Sequence, residues 1–198
     1  MNNKREAIIL GALLHDVGKA LNRVKGIKRK HPILSKDFVS QPEFRAKIEN
    51  WVDIKILETV CQRHHEDEQF FDEDLLVQKI EDKHLRALAY IVSRANNYSL
   101  SEMEKGEESG EDFRKTRLSS IFSKVDIGKG KPTEKYYDLK PLSPKNCFPL
   151  DKEKAEMNKN AYQELIEGKF SKSIKSLQGN SFNHFFNGLV SILEENLW

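Results

Sequence analysis

The sequence predicts a mainly α-helical protein: a helical bundle, then an irregular connector with room for one short strand, then further helix. Three observations predict it. Apolar residues recur at spacings of three and four near the start, in the stripe Leu10, Leu13, Leu14, Val17, Leu21 and Val24. Glycine, proline and charge gather between residues 102 and 150, where no such period holds. Helical spacing returns in Phe182, Phe185, Phe186, Leu189, Val190, Leu193 and Leu197.

Residues 5 to 24 read as one amphipathic helix. Pro32 and Pro42 stand where first-turn prolines start two further short helices. Ile54, Leu57 and Cys61 define a helix from about residue 52 whose period carries His64 toward the core. Leu85, Leu88, Ala89, Val92 and Ala95 define a later one, with Asn96 on the same side. The compact helical domain is expected to end near residue 115, after the charged stretch EMEKGEESGEDFRK. In the connector, RLSSIF is a short amphipathic piece and DIGKGKPTEK a flexible loop. KYYDLKPL is expected as a single extended strand before Pro141, Pro144 and Pro149. The closing Phe-rich face wants a partner, which a continuing polypeptide is expected to supply.

The 198 residues, 38% of them hydrophobic, suffice for one domain with its own core plus an appendage. The 33 basic residues nearly cancel the 31 acidic ones, so any basic surface must be local. Cys61 and Cys147 form no C-x-x-C pair, which argues against a disulfide framework or zinc knuckle and fits a reducing cytoplasm. No apolar run approaches the roughly 18 to 20 residues that span a bilayer, and the start MNNKREAIILGALLHD lacks a signal-peptide core. A soluble, cytoplasmic protein with no membrane partner is expected.

The chemistry centres on His15-Asp16 in GALLHDVGK. Neighbouring side chains on a helix diverge by about 100°, so the pair can serve one metal or bridge toward a second. A divalent cation held by imidazole and carboxylate activates water and polarises a phosphate, as phosphodiester hydrolysis requires. His31, in RKHPILSKDF, and the pair His64-His65 bring the grouping to four imidazoles; His84 and His184 lie outside it. Taken singly, His31 reads as a surface or capping residue, His64 as a satisfied core histidine and His65 as solvated. Taken together with His15-Asp16, metal ligation is the better account. Lys19, one turn after His15, is placed to reach a scissile phosphate, or is a solvated helix lysine. Lys25, Lys28, Arg29 and Lys30, in RVKGIKRKH, form a cluster that would attract a phosphate backbone without base specificity, or a solvated surface.

In order and spacing, GALLHDVGKALNRV, KHPILSKDF, a helix ending in HH, and AYIVSRANNYSLSE resemble the permuted HD domain of the large HD-and-palm subunit (Csm type) of type III-A CRISPR effector complexes. LSSIFSKV, YYDLKPLSP and the Phe-rich helix ending ILEENLW resemble that family's connector into its first palm domain. HD-x-G-K alone is shared with many HD phosphohydrolases; the ordered set carries the specificity. The resemblance implies an HD-domain helical bundle over residues 1–115, a connector over 116–150, and the helical start of the palm-associated region over 151–198. It implies a nuclease that hydrolyses single-stranded DNA with a metal-activated water, with His15, Asp16, Lys19 and His65 in catalytic roles. The implied ligands are His15, Asp16, His31, His64, His65 and Asn96, for one or two divalent ions, manganese, nickel or cobalt. The implied partners are single-stranded DNA and, through the full-length protein, other effector subunits and the crRNA.

One position departs from the family pattern: where the family has alanine then aspartate, this chain has Ala95-Asn96-Asn97. An amide oxygen offers a dipole where a carboxylate offers a full charge, so weaker metal affinity is expected, with loss of one of two sites left open. Two rivals also stay open. One is an HD scaffold that has lost its metal and docks other subunits; the other is a small-molecule HD phosphohydrolase acting on a nucleotide.

Overall fold

The computed structural model describes residues 4–24, 29–69, 71–101, 118–125, 128, 130, 133–137, 144, 147–151 and 163–196. Six helices carry the first half: α1 (Lys4–Leu14), α2 (Val17–Leu21), α3 (His31–Ser40), α4 (Pro42–Ile48), α5 (Ile54–Gln62) and α6 (Lys83–Ser101). The expected charged run 102–115, Lys25, Lys28, Pro141 and the final Leu197 and Trp198 lie outside the described residues.

The expectation of one helix over residues 5 to 24 is corrected. The chain breaks at His15-Asp16, where Asp16 has φ −104° and ψ 3°. The cause lies in packing. A Cβ on Gly18 would stand 2.0 Å from the His31 carbonyl oxygen and 2.8 Å from the Ser35 nitrogen, so only glycine lets α2 press this closely on α3. The Gly18 N–H leaves the helical ladder and donates instead to the buried Ser35 hydroxyl at 2.9 Å.

Both prolines act as expected, at the first turns of α3 and α4. Asp53 caps α5, its carboxylate accepting from the Ile56 N–H at 3.1 Å, a bond of a kind that contributes about 1 kcal/mol. The helix ends at Gln62, so His64 is not a helical residue as its period suggests, yet it is 1% exposed. Residues 63–66 instead run under α6 as an extended segment, held where Val77 N–H donates to the His65 carbonyl at 2.9 Å. On α6, Leu85, Ala89, Val92 and Ser93 are buried, Asn96 is half-buried, and Ala95 is exposed, which corrects its expected place in the core.

In the connector the single strand is corrected to an antiparallel pair: β2 (Tyr136–Tyr137) lies beside β1 (Leu118–Ser119). The short amphipathic piece thus opens as strand before the 3-10 turn Ile121–Lys124. Tyr136 also bridges to Leu150 on its other edge, with two backbone hydrogen bonds of 2.7 and 2.8 Å.

The closing helices are α7, whose π-helical Glu164–Phe170 continues into Ser171–Ser176, and α8 (Phe182–Asn196). Their apolar residues join the core of the first half. Phe170 stacks on Phe38 at 5.8 Å between ring centroids, and Phe185 meets Phe44 at 5.9 Å and Trp51 at 6.3 Å. The Phe-rich face thus finds part of its partner within the chain. Lys47 from α4 closes the joint by donating to the carbonyls of Lys175 and Leu177. No helix among the described residues is long and apolar enough to cross a membrane.

Candidate metal centre

The break after α1 does what a regular helix forbids. Consecutive helical side chains point about 100° apart, but here the His15 ring and the Asp16 carboxylate converge, with Nε2 and Oδ2 3.4 Å apart. The start of α3 adds His31, whose Nε2 is 3.1 Å from Asp16 Oδ1, and the extended segment adds His64, whose Nε2 is 3.7 Å from the same oxygen. His65 reaches in from the outer side, its Nε2 3.1 Å from that of His31.

Backbone carbonyls set the rings. His15 Nδ1 lies 2.8 Å from the Ala12 carbonyl and His64 Nδ1 lies 3.1 Å from that of Cys61. A carbonyl only accepts, so each Nδ1 carries the hydrogen and each Nε2 turns a lone pair inward, the arrangement of metal-ligating histidines. His65 is held by a stacked contact with Phe71, centroids 3.7 Å apart and planes within 7°.

The electrostatics follow from this crowding. Burial alone would raise the Asp16 carboxyl, but His31, His15 and Lys19 around it hold it well below the usual carboxylate range. Burial pushes His64 well below an ordinary histidine, with the neighbouring His65 and His15 adding to the effect. Burial and then His31 bring His65 down to about 4. Both rings are therefore neutral near pH 7, as ligands must be. Burial pushes the Cys61 thiol up, so this cysteine is a packing residue.

A divalent cation fits these residues. Among the described residues, Asp16 Oδ1 and His64 Nε2 are both buried without a hydrogen-bond partner, and they face each other. A buried polar group left unpaired costs on the order of 1 to 3 kcal/mol, which a bound cation would remove for both atoms at once. Two overlapping sets have ligand atoms within 4.8 Å of one another: His15, Asp16 and His64, and His31, His64 and His65.

The structure brings together all six sequence-read ligands, with Asn96 at the rim, its Oδ1 3.4 Å from His15 Nε2. Lys19 stands beside the cluster, its ammonium 2.6 Å from Asp16 Oδ2. Of the basic cluster, Arg29 pairs with Asp37, and Lys30 pairs with Asp72 at 3.0 Å and lies over the Phe71 ring; Lys25 and Lys28 lie outside the described residues. Sequence reasoning missed Glu66. Its carboxylate accepts from Ser93 at 2.8 Å and Asn97 at 3.1 Å and pairs with Arg94 at 2.9 Å, tying the histidine segment to α6. The signal was the acid directly after His64-His65. Phe71 gave no signal.

The HD-domain model matches residues 1–100, the span that contains every residue of the cluster just described. The chain belongs to the HD-domain family. It is also 30% identical, over an alignment of 213 residues, to the CRISPR system single-strand-specific deoxyribonuclease Cas10/Csm1 (subtype III-A) of Methanocaldococcus jannaschii. The match takes in 99% of this chain and 23% of that protein, so the chain spans less than a quarter of the length of its relative. The resemblance read from the sequence, to the HD-domain portion of a type III-A large subunit, is borne out by both findings.

Proposed function

We propose that this chain is the metal-dependent nuclease domain of a type III-A CRISPR large subunit and that it hydrolyses single-stranded DNA. The observation that carries the reading is the pair of orphaned buried atoms, Asp16 Oδ1 and His64 Nε2, inside a ring of inward-turned imidazoles. Similarity to a single-strand-specific deoxyribonuclease over nearly the whole chain supports the choice of substrate.

His15, Asp16, His31, His64 and His65 would hold the cation, manganese, nickel or cobalt being the ions the family resemblance implies, of which nickel and cobalt suit an imidazole-rich set. When bound, it supplies Lewis acidity that polarises a phosphodiester and makes a water nucleophilic at neutral pH. The protein's own part is positional. The Ala12 and Cys61 carbonyls orient two rings, and Phe71 covers one face of His65. Lys19 fixes one oxygen of Asp16 and leaves the other for ligation. Half exposed, Lys19 can exchange that oxygen for a substrate phosphate. Arg29 and Lys30, at the entrance to α3, bring cationic character to the same side. In this reading the domain works in the cytoplasm within a longer protein that joins other effector subunits and a crRNA.

A second reading, a docking scaffold without activity, is favoured by one observation: the neutral amide of Asn96 where the family has a carboxylate. Cleavage of end-labelled single-stranded DNA separates the two. The nuclease reading expects cutting with manganese or nickel, none with EDTA, none from His64→Ala, and faster cutting from Asn96→Asp. Cutting in EDTA or by His64→Ala overturns it. Cutting by Asn96→Asp alone establishes the scaffold.

A further inference from the structure

Phe71 has no place in the apolar core. Among the described residues it is neither one of the buried core side chains nor one of the half-buried ones packed against them. It stacks flat on His65, centroids 3.7 Å apart and planes within 7°, and meets His31 nearly edge-on at 6.3 Å. Lys30, the N-cap of α3, sets its ammonium over the same ring, 5.7 Å from the centroid, and pairs with the exposed Asp72 carboxylate at 3.0 Å. A large apolar ring held among imidazoles and a cation forgoes most of what burial in the core would contribute. Its position calls for a partner other than the core.

An aromatic face beside an ammonium matches the two halves of an unpaired nucleotide. The ring takes the base, whose π-face stacks on an aromatic whatever its identity, and the ammonium takes the phosphate. In a duplex each base is already stacked between its neighbours, so a single strand is what such a pair selects. The loop around Phe71 is acidic, but its charges are engaged. Glu68 and Glu73 pair with Lys79, and Asp67 accepts from the Gln69 N–H. Asp72 is the acid that meets Lys30, and it stands where a phosphate would. Both partners are exposed, and ion pairs between exposed groups contribute little, so a strand phosphate can take the place of Asp72 at small cost.

We infer that Phe71 and Lys30 form a nucleotide subsite beside the histidine cluster, in which Phe71 stacks a base of the single strand and Lys30 holds a phosphate whose place Asp72 now takes. The inference rests on the proposed function and deepens it by naming where the strand is gripped. Because Phe71 lies flat on His65, a base stacked on its other face stands one ring away from the cluster, and the adjoining backbone is led toward it. Stacking of this kind reads no base sequence. Asp72 acts as a built-in competitor that an incoming strand displaces.

Fluorescence anisotropy of a labelled oligothymidylate mixed with the whole chain in EDTA tests it without cleavage, with circular dichroism to confirm that each variant is folded. Phe71→Leu keeps apolar cover on His65 but loses the π-face, and is expected to weaken binding about 10-fold. Phe71→Trp should bind at least as tightly as the parent. Lys30→Gln should weaken binding and lower the slope of log affinity against log salt by about 0.7, the value for one phosphate contact on a single strand. Asp72→Asn should tighten binding about 2- to 5-fold, and that gain should vanish in the Lys30→Gln background, where a general effect of loop charge would persist. Phe71→Leu binding like the parent, an Asp72→Asn gain that survives without Lys30, an equal Phe71→Leu loss for a labelled duplex, or no binding by the parent overturns the inference. If Phe71→Leu does not fold, Phe71→Trp and the Asp72–Lys30 pair of variants still decide. A chain that binds the strand through Phe71 and cuts no DNA with added metal keeps the inference and sinks the nuclease reading; a chain whose Phe71→Leu variant binds and cuts single strands as the parent does has the reverse meaning.

Discussion

The two halves of the chain share a core but use burial for different ends. In α7 and α8 the buried residues are all apolar: Ile166, Phe170, Ile174, Phe185, Leu189 and Leu193. In α1 to α6 the core also takes in His64, Ser35 and Ser93, and it leaves Asp16 Oδ1 and His64 Nε2 without partners. Burying a polar group is unfavourable unless it is paired. The aromatic half therefore supports the fold, and the polar half gives up stability to keep ligand atoms ready. Substitutions in the first should change stability alone; those in the second should change cation binding, stability or both in separable ways.

The largest effect is expected from the aromatic half. Phe185→Ala removes a fully buried ring that touches Phe44 and Trp51, and should cost about 3 to 5 kcal/mol in urea unfolding. Cobalt affinity measured well below the melting transition should be unchanged. A matching loss of affinity would dissolve the distinction between the halves.

Gly18→Ala sits on the boundary of the argument. Its new methyl would collide with the His31 carbonyl and the Ser35 nitrogen. Strain of about 1 to 3 kcal/mol is expected, and because α3 carries His31, cobalt affinity should fall with stability. A variant that lost stability and kept full affinity would show that the tight approach of α2 to α3 does not place His31.

Acidity should act on the polar half. His65 is brought down to about 4 by burial and the neighbouring His31, from an ordinary value of 6.5, and burial pushes His64 well below that ordinary value too. Between about pH 6.5 and 4 the unfolded chain therefore binds more protons than the folded one, so the metal-free protein loses stability as pH falls through that window. The depressed Asp16 carboxyl adds stability that is present at higher pH and lost only below that range. Melting temperatures of the EDTA-treated protein across these pH values check it, and His64→Leu should flatten the slope.

The smallest effect belongs to local structure. Asp53→Ala removes the cap of α5 and should cost about 1 kcal/mol without moving cobalt affinity.

Much of this division was legible in the sequence. The helical stripes and the first-turn prolines follow from residue type and spacing, and the cluster of His15, Asp16, His31, His64 and His65 was expected from the His-Asp pair together with the family resemblance. What periodicity could not give were the places where tertiary contact overrides it. The helix break at Asp16 depends on Gly18 meeting α3, a contact between residues far from adjacent in sequence. The burial of His64 comes from an extended segment tied to Val77, although helical phase happened to suggest the same end. Glu66 and Phe71 acquire meaning only once α6 and the His65 ring stand beside them. The strand pair joins Leu118 to Tyr137 across a loop whose length hides the register.

The central claim is that the polar half holds its buried atoms unpaired for a cation. It is tested most directly by melting the parent chain and His64→Leu, each with EDTA and with cobalt(II) at about 100 times the parent dissociation constant. The parent should gain about 2.7 kcal/mol on loading. His64→Leu, relieved of an unpaired buried nitrogen, should be at least as stable as the parent in EDTA and gain little from cobalt. An unloaded His64→Leu much less stable than the parent, or one stabilised by cobalt as strongly as the parent, would contradict the account.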